Sequence, residues 1–124
     1  MSNAAPGFAQ HPRHVVSIGP PVHSLRLWRG GVLLARTEHA RLVEETGYPP
    51  RHYLPADAFE HSRLTASDTT TYCPFKGRAR YWHVDVGDER LEDAIWAYTE
   101  PYDECAALAD CRAFYAEAFE VESP

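Results

Sequence analysis

Nothing in this sequence is long and apolar enough to cross a bilayer: no run approaches the roughly 20 apolar residues that a spanning helix needs. Cysteine is scarce. Cys73, Cys105 and Cys111 are odd in number and lack paired spacing, which excludes a disulfide framework and makes a reducing cytoplasm the expected compartment. Metal-ligand spacings are missing too, with neither C-x-x-C nor H-E-x-x-H present. His11 and His14 stand at a workable separation, but in a segment that reads as a flexible arm, so no metal is expected. There is no phosphate loop, only the dipeptide Lys76-Gly77. Positive charge is in deficit, with 12 Lys and Arg against 18 Asp and Glu and a net charge of −6. An acidic chain repels phosphate backbones, so bulk nucleic-acid binding is not expected. Met1 to Pro12 has no basic start followed by an apolar stretch, so no secretory signal is expected there.

What is present suits one small globular domain. A chain of 124 residues can bury about two thirds of its unfolded surface and needs no staple to fold. Ten prolines and seven glycines break it into short pieces, which favours strands and turns over long helices. Val15 to Ile18 reads as a first short strand. Leu25 to Trp28 and Val32 to Ala35 flank Arg29-Gly30-Gly31 as a hairpin, because glycine accepts the positive φ of a tight hairpin turn. Pro49-Pro50 cannot donate backbone hydrogen bonds and marks a loop or a sheet edge. His52 to Leu54 is a short strand, and Leu64 to Ser67 leads into a threonine cluster. Ala79 to Val86 is the clearest strand, with Tyr81 and His83 on one face and Trp82 and Val84 on the other. It turns at Gly87-Asp88 into a returning strand, Leu91 to Tyr98, with a bulge near Asp93-Ala94 and with Trp96 expected opposite Trp82. Pro101 to Asp110 is the helical candidate: proline and acidic residues suit its first turn. Arg112 to Val121 reads as one or two short strands. The expected organisation is a flexible N-terminal arm over residues 1–14, then a single mainly-β domain over 15–124. That domain is built of short antiparallel strands with one short helix near the C-terminus.

The chemistry concentrates in Thr69-Thr70-Thr71-Tyr72-Cys73-Pro74-Phe75-Lys76-Gly77, which packs hydroxyls, a thiol, an ammonium and a glycine into one stretch. Cys73 is the candidate nucleophile, since a thiolate is favoured by nearby cations such as Lys76 and Arg78; His52 or His83 is a candidate base. Cys105 and Cys111 read as core. Arg51, Lys76, Arg78 and Arg80 form a local basic group that solvation also explains. The aromatics Tyr48, Tyr53, Tyr72, Trp82, Trp96 and Tyr98 serve either as core or as the lining of a ligand pocket. Glu44 and Glu45 are adjacent, so on a strand they face opposite sides and cannot share a site. Asp68 is placed to cap a turn.

Three blocks carry a resemblance. They are Glu44-Glu45-Thr46-Gly47-Tyr48-Pro49-Pro50-Arg51-His52-Tyr53, then Ser67 through Trp82 with Cys73-Pro74-Phe75-Lys76-Gly77 at its centre, then Trp96-Ala97-Tyr98 with Pro101 after it. In order and spacing they closely resemble domain-of-unknown-function family 427, over about residues 24 to 121. The resemblance implies a small mainly-β, β-tent-like domain, in which sheets pack around a central cavity. Relatives with tent-like folds often hold zinc through two C-x-x-C pairs, which this chain lacks. The family is also labelled a nucleotidyltransferase family, but the Gly-Ser and paired aspartates that such enzymes commonly use are not found here. The motif residues that match are Glu45, Gly47, Pro50, Tyr53, Asp68, Thr70, Tyr72, Cys73, Lys76, Gly77, Tyr81, Trp82, Trp96 and Tyr98.

Three functions remain open. The first is a small-molecule binding module with an aromatic-lined cavity for a polar or anionic ligand, in which Lys76 and Arg51 supply charge, Tyr53, Tyr72 and Thr70 supply hydroxyl hydrogen bonds, and Glu45, Asp68, Trp82 and Tyr98 are further ligand contacts. The second is an enzyme in which Cys73 is nucleophile or redox centre, Lys76 lowers its pKa and a His or Glu45 moves protons, or one with the nucleotidyltransferase activity that the family label suggests. The third is an interaction domain that meets a partner, or its own copy, through a sheet edge near the diproline. The sequence names no cofactor.

Overall fold

The computed structural model describes residues 3–124. Of the expected arm, Met1 and Ser2 lie outside the described residues. Nine antiparallel strands make the fold: β1 (Val16–Ile18), β2 (His23–Arg29), β3 (Val32–Glu45), β4 (Arg51–Pro55), β5 (Leu64–Cys73), β6 (Gly77–Val86), β7 (Glu89–Ala97), β8 (Cys111–Phe114) and β9 (Glu120–Glu122). They follow the order β5-β6-β7-β8-β4-β3-β2-β9, and β1 pairs with the far end of β3. No helix among the described residues is long and apolar enough to cross a membrane.

The β2–β3 hairpin turns where the sequence places it. Gly30 and Gly31 sit at φ of 55° and 78°, the left-handed pair that a two-residue turn with native twist demands. β3 runs on to Glu45, pairing first with β2, then with β4 on one side and β1 on the other. The diproline is a connection rather than an edge: it leads into β4, which lies between β3 and β8, and the edges of the order are β5 and β9.

The threonine cluster is itself strand. β5 continues through Thr70 and Thr71 to Cys73, and the turn falls at residues 74–76. The central strand β6 is flanked by irregularities on both sides. Residues 67–69 of β5 stand where β6 has only Tyr81, and residues 92–94 of β7 stand where β6 has only His83. The two bulges are tied to each other across β6, Thr69 Oγ1 donating to Asp93 Oδ2 at 2.8 Å, and Asp93 carries a positive φ of 51°. Bulges bend and twist the strands that carry them. One consequence corrects the expected pairing: Trp96 stands opposite Tyr81, and Trp82 opposite Ile95.

The core divides in two. Leu25, Leu27, Leu34, Leu54, Val84, Ile95 and Phe114 fill one cluster, against which Trp82 packs. Val43, Tyr53, Ala79, Trp96, Tyr98, Cys105, Leu108, Cys111 and Ala113 fill the other. The alternation read in β6 holds, with Trp82 and Val84 on the first cluster and Ala79 and Tyr81 on the second.

The helix expected over residues 101–110 is not an α-helix. Asp103–Leu108 forms a 3₁₀ segment broken at Cys105, whose φ and ψ are −120° and 23°. Tertiary tethers override the local preference: Tyr102 N–H donates to Lys76 O, Asp103 N–H to Asn3 O, and Cys105 Sγ to Phe75 O. A run this short has too little helical cooperativity to resist them. The α-helix that does form is the four-residue Gly7–Gln10, inside the segment read as an arm.

That segment is laid down against the domain. Asn3 N–H bonds the Asp103 carboxylate, Ala5 N–H that of Glu104, and Gly7 N–H the Pro74 carbonyl at 3.0 Å. A Cβ on Gly7 would stand 2.7 Å from the Phe75 ring and 2.9 Å from Pro74 O, so only glycine permits the approach. Phe8 meets Phe75 edge to face at 5.0 Å. No pattern in the sequence announces this strap, because its anchors are single residues without periodicity.

Candidate functional site

The second cluster does not close on itself. A cavity of about 360 Å³ opens above it between the end of β3, the start of β4, the β5–β6 turn and the end of β7. Strand geometry explains which side chains reach it. Glu45 is the last residue of β3 and Arg51 the first of β4, so the short loop through Tyr48 and Pro49 brings both to one rim. Tyr53, two residues after Arg51, points the same way and forms part of the floor. Thr71 and Cys73 alternate inward from β5, Lys76 comes from the turn, and Tyr81, Trp96, Tyr98 and Tyr115 complete the aromatic walls.

The polar groups fall into two electrostatic settings. In the first, the Glu45 carboxylate is held from both sides: Lys76 Nζ donates to Oε1, and His14 Nε2 lies 2.8 Å from Oε2. All three side chains are largely buried, at 9%, 11% and 15% exposure for Lys76, Glu45 and His14. The His14 ring stacks on Phe75 at 3.8 Å, and Lys76 Nζ lies 5.8 Å from the centre of the Tyr98 ring. A buried ammonium is tolerable only with such a partner.

The second setting is a cation without a counter-charge. The Arg51 guanidinium rests 4.8 Å from the Trp96 ring centre and 5.9 Å from that of Tyr115, and donates from Nη1 to Phe114 O at 2.9 Å. No carboxylate ion-pairs with it among the described residues. The guanidinium fork holds five N–H donors, and one carbonyl does not exhaust them.

The tyrosines supply hydrogen-bond donors. Burial pushes the Tyr53 and Tyr98 phenols well above their ordinary range, so both keep their protons at any physiological pH. Tyr81 shares a hydrogen bond with Thr71 Oγ1 at 2.9 Å, and Tyr72 one with Tyr102 at 2.6 Å. Cys73 is partly buried in the cavity lining. Cys105 and Cys111 are core, as read, and burial raises the Cys105 thiol to about 11.

Of the residues singled out from sequence, Glu45, Arg51, Tyr53, Tyr72, Cys73, Lys76 and Tyr98 line this one cavity. Asp68, Thr70 and Trp82 do not. Asp68 belongs to the β5 bulge, where Ser67 Oγ rather than Asp68 accepts the Thr69 N–H. Thr70 is exposed, as is its neighbour Thr71, but only Thr71 lines the cavity. Trp82 lies on the opposite face of β6 from Tyr81, under the Arg112 guanidinium at 4.2 Å. The bases offered from sequence are elsewhere too: His52 pairs edge to face with His23, and His83 Nδ1 accepts the Asp93 N–H. His14 and Tyr115 were missed as parts of the site. His14 lies in the segment that reads as an arm, and Tyr115 follows a strand too short to show its facing.

Together these features define an antiparallel β domain built around an aromatic-walled, charged cavity that opens at one end of its sheet. The chain belongs to the family described as a domain of unknown function (DUF427), whose model matches residues 18–123 and whose short label abbreviates a nucleotidyltransferase. No curated protein matches the chain.

Proposed function

We propose that this domain binds a small anionic ligand with a flat or apolar part. The observation that carries the reading is Arg51: a guanidinium stacked on the cavity's tryptophan, with donors to spare and no carboxylate to neutralise it. Lys76 cannot take that part, being already partnered by Glu45. The Tyr53 and Tyr98 hydroxyls serve as further donors, and the aromatic walls receive the apolar portion. A tent-like packing of sheets around the cavity, and a reducing cytoplasm suited to three free thiols, are in keeping with this reading. A second reading, an enzyme acting through Cys73 and Lys76, draws on the presence of both in the same lining.

The test uses 3-phenylpropanoate and phenyl phosphate as probes, followed by thermal shift and calorimetry. At least one should bind the wild-type protein. Arg51→Met, which keeps the stem but removes the fork, should weaken that binding by about tenfold or more, the worth of a charge-assisted hydrogen-bonded pair. Equal affinity in the variant, or no binding of either anion, would remove the proposal.

A further inference from the structure

We propose that Lys76 forms a reversible imine with the carbonyl of an anionic aldehyde or ketone, a 2-oxo acid being the simplest class. This deepens the ligand reading above and rests on it. Lys76 is the only lysine in the chain, in contrast to eleven arginines. Where every other cation is an arginine, the one side chain able to act as an amine nucleophile is 7% exposed and lines the cavity. Arginine would serve a purely structural ion pair at least as well, because its fork meets a carboxylate at two points. Lysine offers what arginine does not: a nitrogen that can give up its proton and attack carbon.

The surroundings supply the proton handling. Glu45 Oε1 faces Lys76 Nζ, and Glu45 Oε2 faces His14 Nε2 at 2.8 Å. The proton leaving Nζ is taken up by the Glu45 carboxylate and handed on to His14 Nε2, which leaves Glu45 ionised again beside a charged imidazole. The carboxylate then has a cation beside it at either end of the transfer, so freeing the amine strands no buried charge. His14 in turn lines a solvent-open hollow with Gln10, His11, Arg13 and Thr46 on the strap side. The neutral amine forms a C–N bond to the carbonyl carbon; the carbonyl oxygen takes one proton from that nitrogen and one returned from His14 through Glu45, and departs as water. Ammonium plus carbonyl thus gives iminium plus water, with no net change in charge and no oxidant or reductant. The positive charge stays on the nitrogen, opposite Glu45. Arg51 lines the same cavity and offers its guanidinium to the carboxylate of the 2-oxo acid.

The experiment is reductive trapping. Wild-type protein is incubated with phenylpyruvate and sodium cyanoborohydride, then analysed by intact mass and peptide mapping. One reduced adduct should map to Lys76, and excess 3-phenylpropanoate should protect against it. Lys76→Arg should lose the adduct. Glu45→Gln and His14→Gln should slow trapping several-fold, with a changed pH profile for His14→Gln. An adduct confined to the α-amine of the chain, or none at millimolar phenylpyruvate, overturns the inference. Because 3-phenylpropanoate has no reactive carbonyl, its binding tests the anion reading separately: binding without trapping sinks the imine alone.

Discussion

Replacing Glu45 by leucine leaves the Lys76 ammonium in place and takes away its carboxylate. Breaking a buried pair from one side costs about 3–5 kcal/mol, because the remaining charge keeps its desolvation penalty and loses its compensation. Here each partner keeps about a tenth of its side-chain surface exposed, 9% and 11%, and the cavity beside them admits solvent, so about 2–3 kcal/mol is expected. In a domain of this size that lowers the melting temperature by roughly 8–12 °C. The second arm is the double variant Glu45→Leu with Lys76→Met. Removing both charges abolishes the uncompensated ion, and exchange of a buried pair for apolar residues is often neutral, so the double variant should recover most of the loss. Urea unfolding of wild type, both single variants and the double variant gives the coupling energy directly. If Glu45→Leu melts within a degree of wild type, or the double variant is no more stable than Glu45→Leu, then Lys76 does not depend on Glu45 and the account of the site is wrong.

Two other outcomes are expected. Gly7→Ala drives a methyl group into the Phe75 ring and the Pro74 carbonyl, so the strap should lift, with faster limited proteolysis at Arg13 while the sheet stays folded; unchanged cleavage would refute the close approach. The alkaline limb of stability should be steep. Burial raises Tyr53 and Tyr98 above the ordinary 10.0, and Cys105 from 9.0 to about 11, so the unfolded chain loses these protons before the folded one does. Their stabilisation is whole below pH 9 and erodes as pH rises, first between about 9 and 11 through Cys105 and further above 10 through the tyrosines. Urea midpoints across that range should fall, and more shallowly in Tyr98→Phe; a flat profile would contradict the burial of these groups.

The strands were legible wherever a turn residue or an alternation marked them: Gly30-Gly31, the two faces of β6, the bulge near Asp93. Much of the cavity was legible too, since Tyr53, Tyr72, Cys73 and Lys76 are the motif residues that folding alone explains least well. Three things were not. The strap is held by isolated backbone hydrogen bonds from Asn3, Ala5 and Gly7, which leave no pattern in sequence. The acidic run from Asp103 looks like a helix start, yet contacts with Lys76 and Phe75 decide its geometry. The facing of Thr70 and Asp68 depended on the β5 bulge, which no glycine or proline announces.

The bulge in β7 has a longitudinal effect. Between the pairs Val84↔Leu91 and Trp82↔Ile95, β7 spends three residues where β6 spends one, an excess of two. An even surplus leaves every side chain on its own face but slides the rest of the strand by about 6–7 Å. Without it Trp96 would sit level with Ala79, beyond the guanidinium it now supports. The level at which Trp96 meets the Arg51 guanidinium is therefore set by how many residues this one kink takes up, without any change in the hairpin's hydrophobic phase.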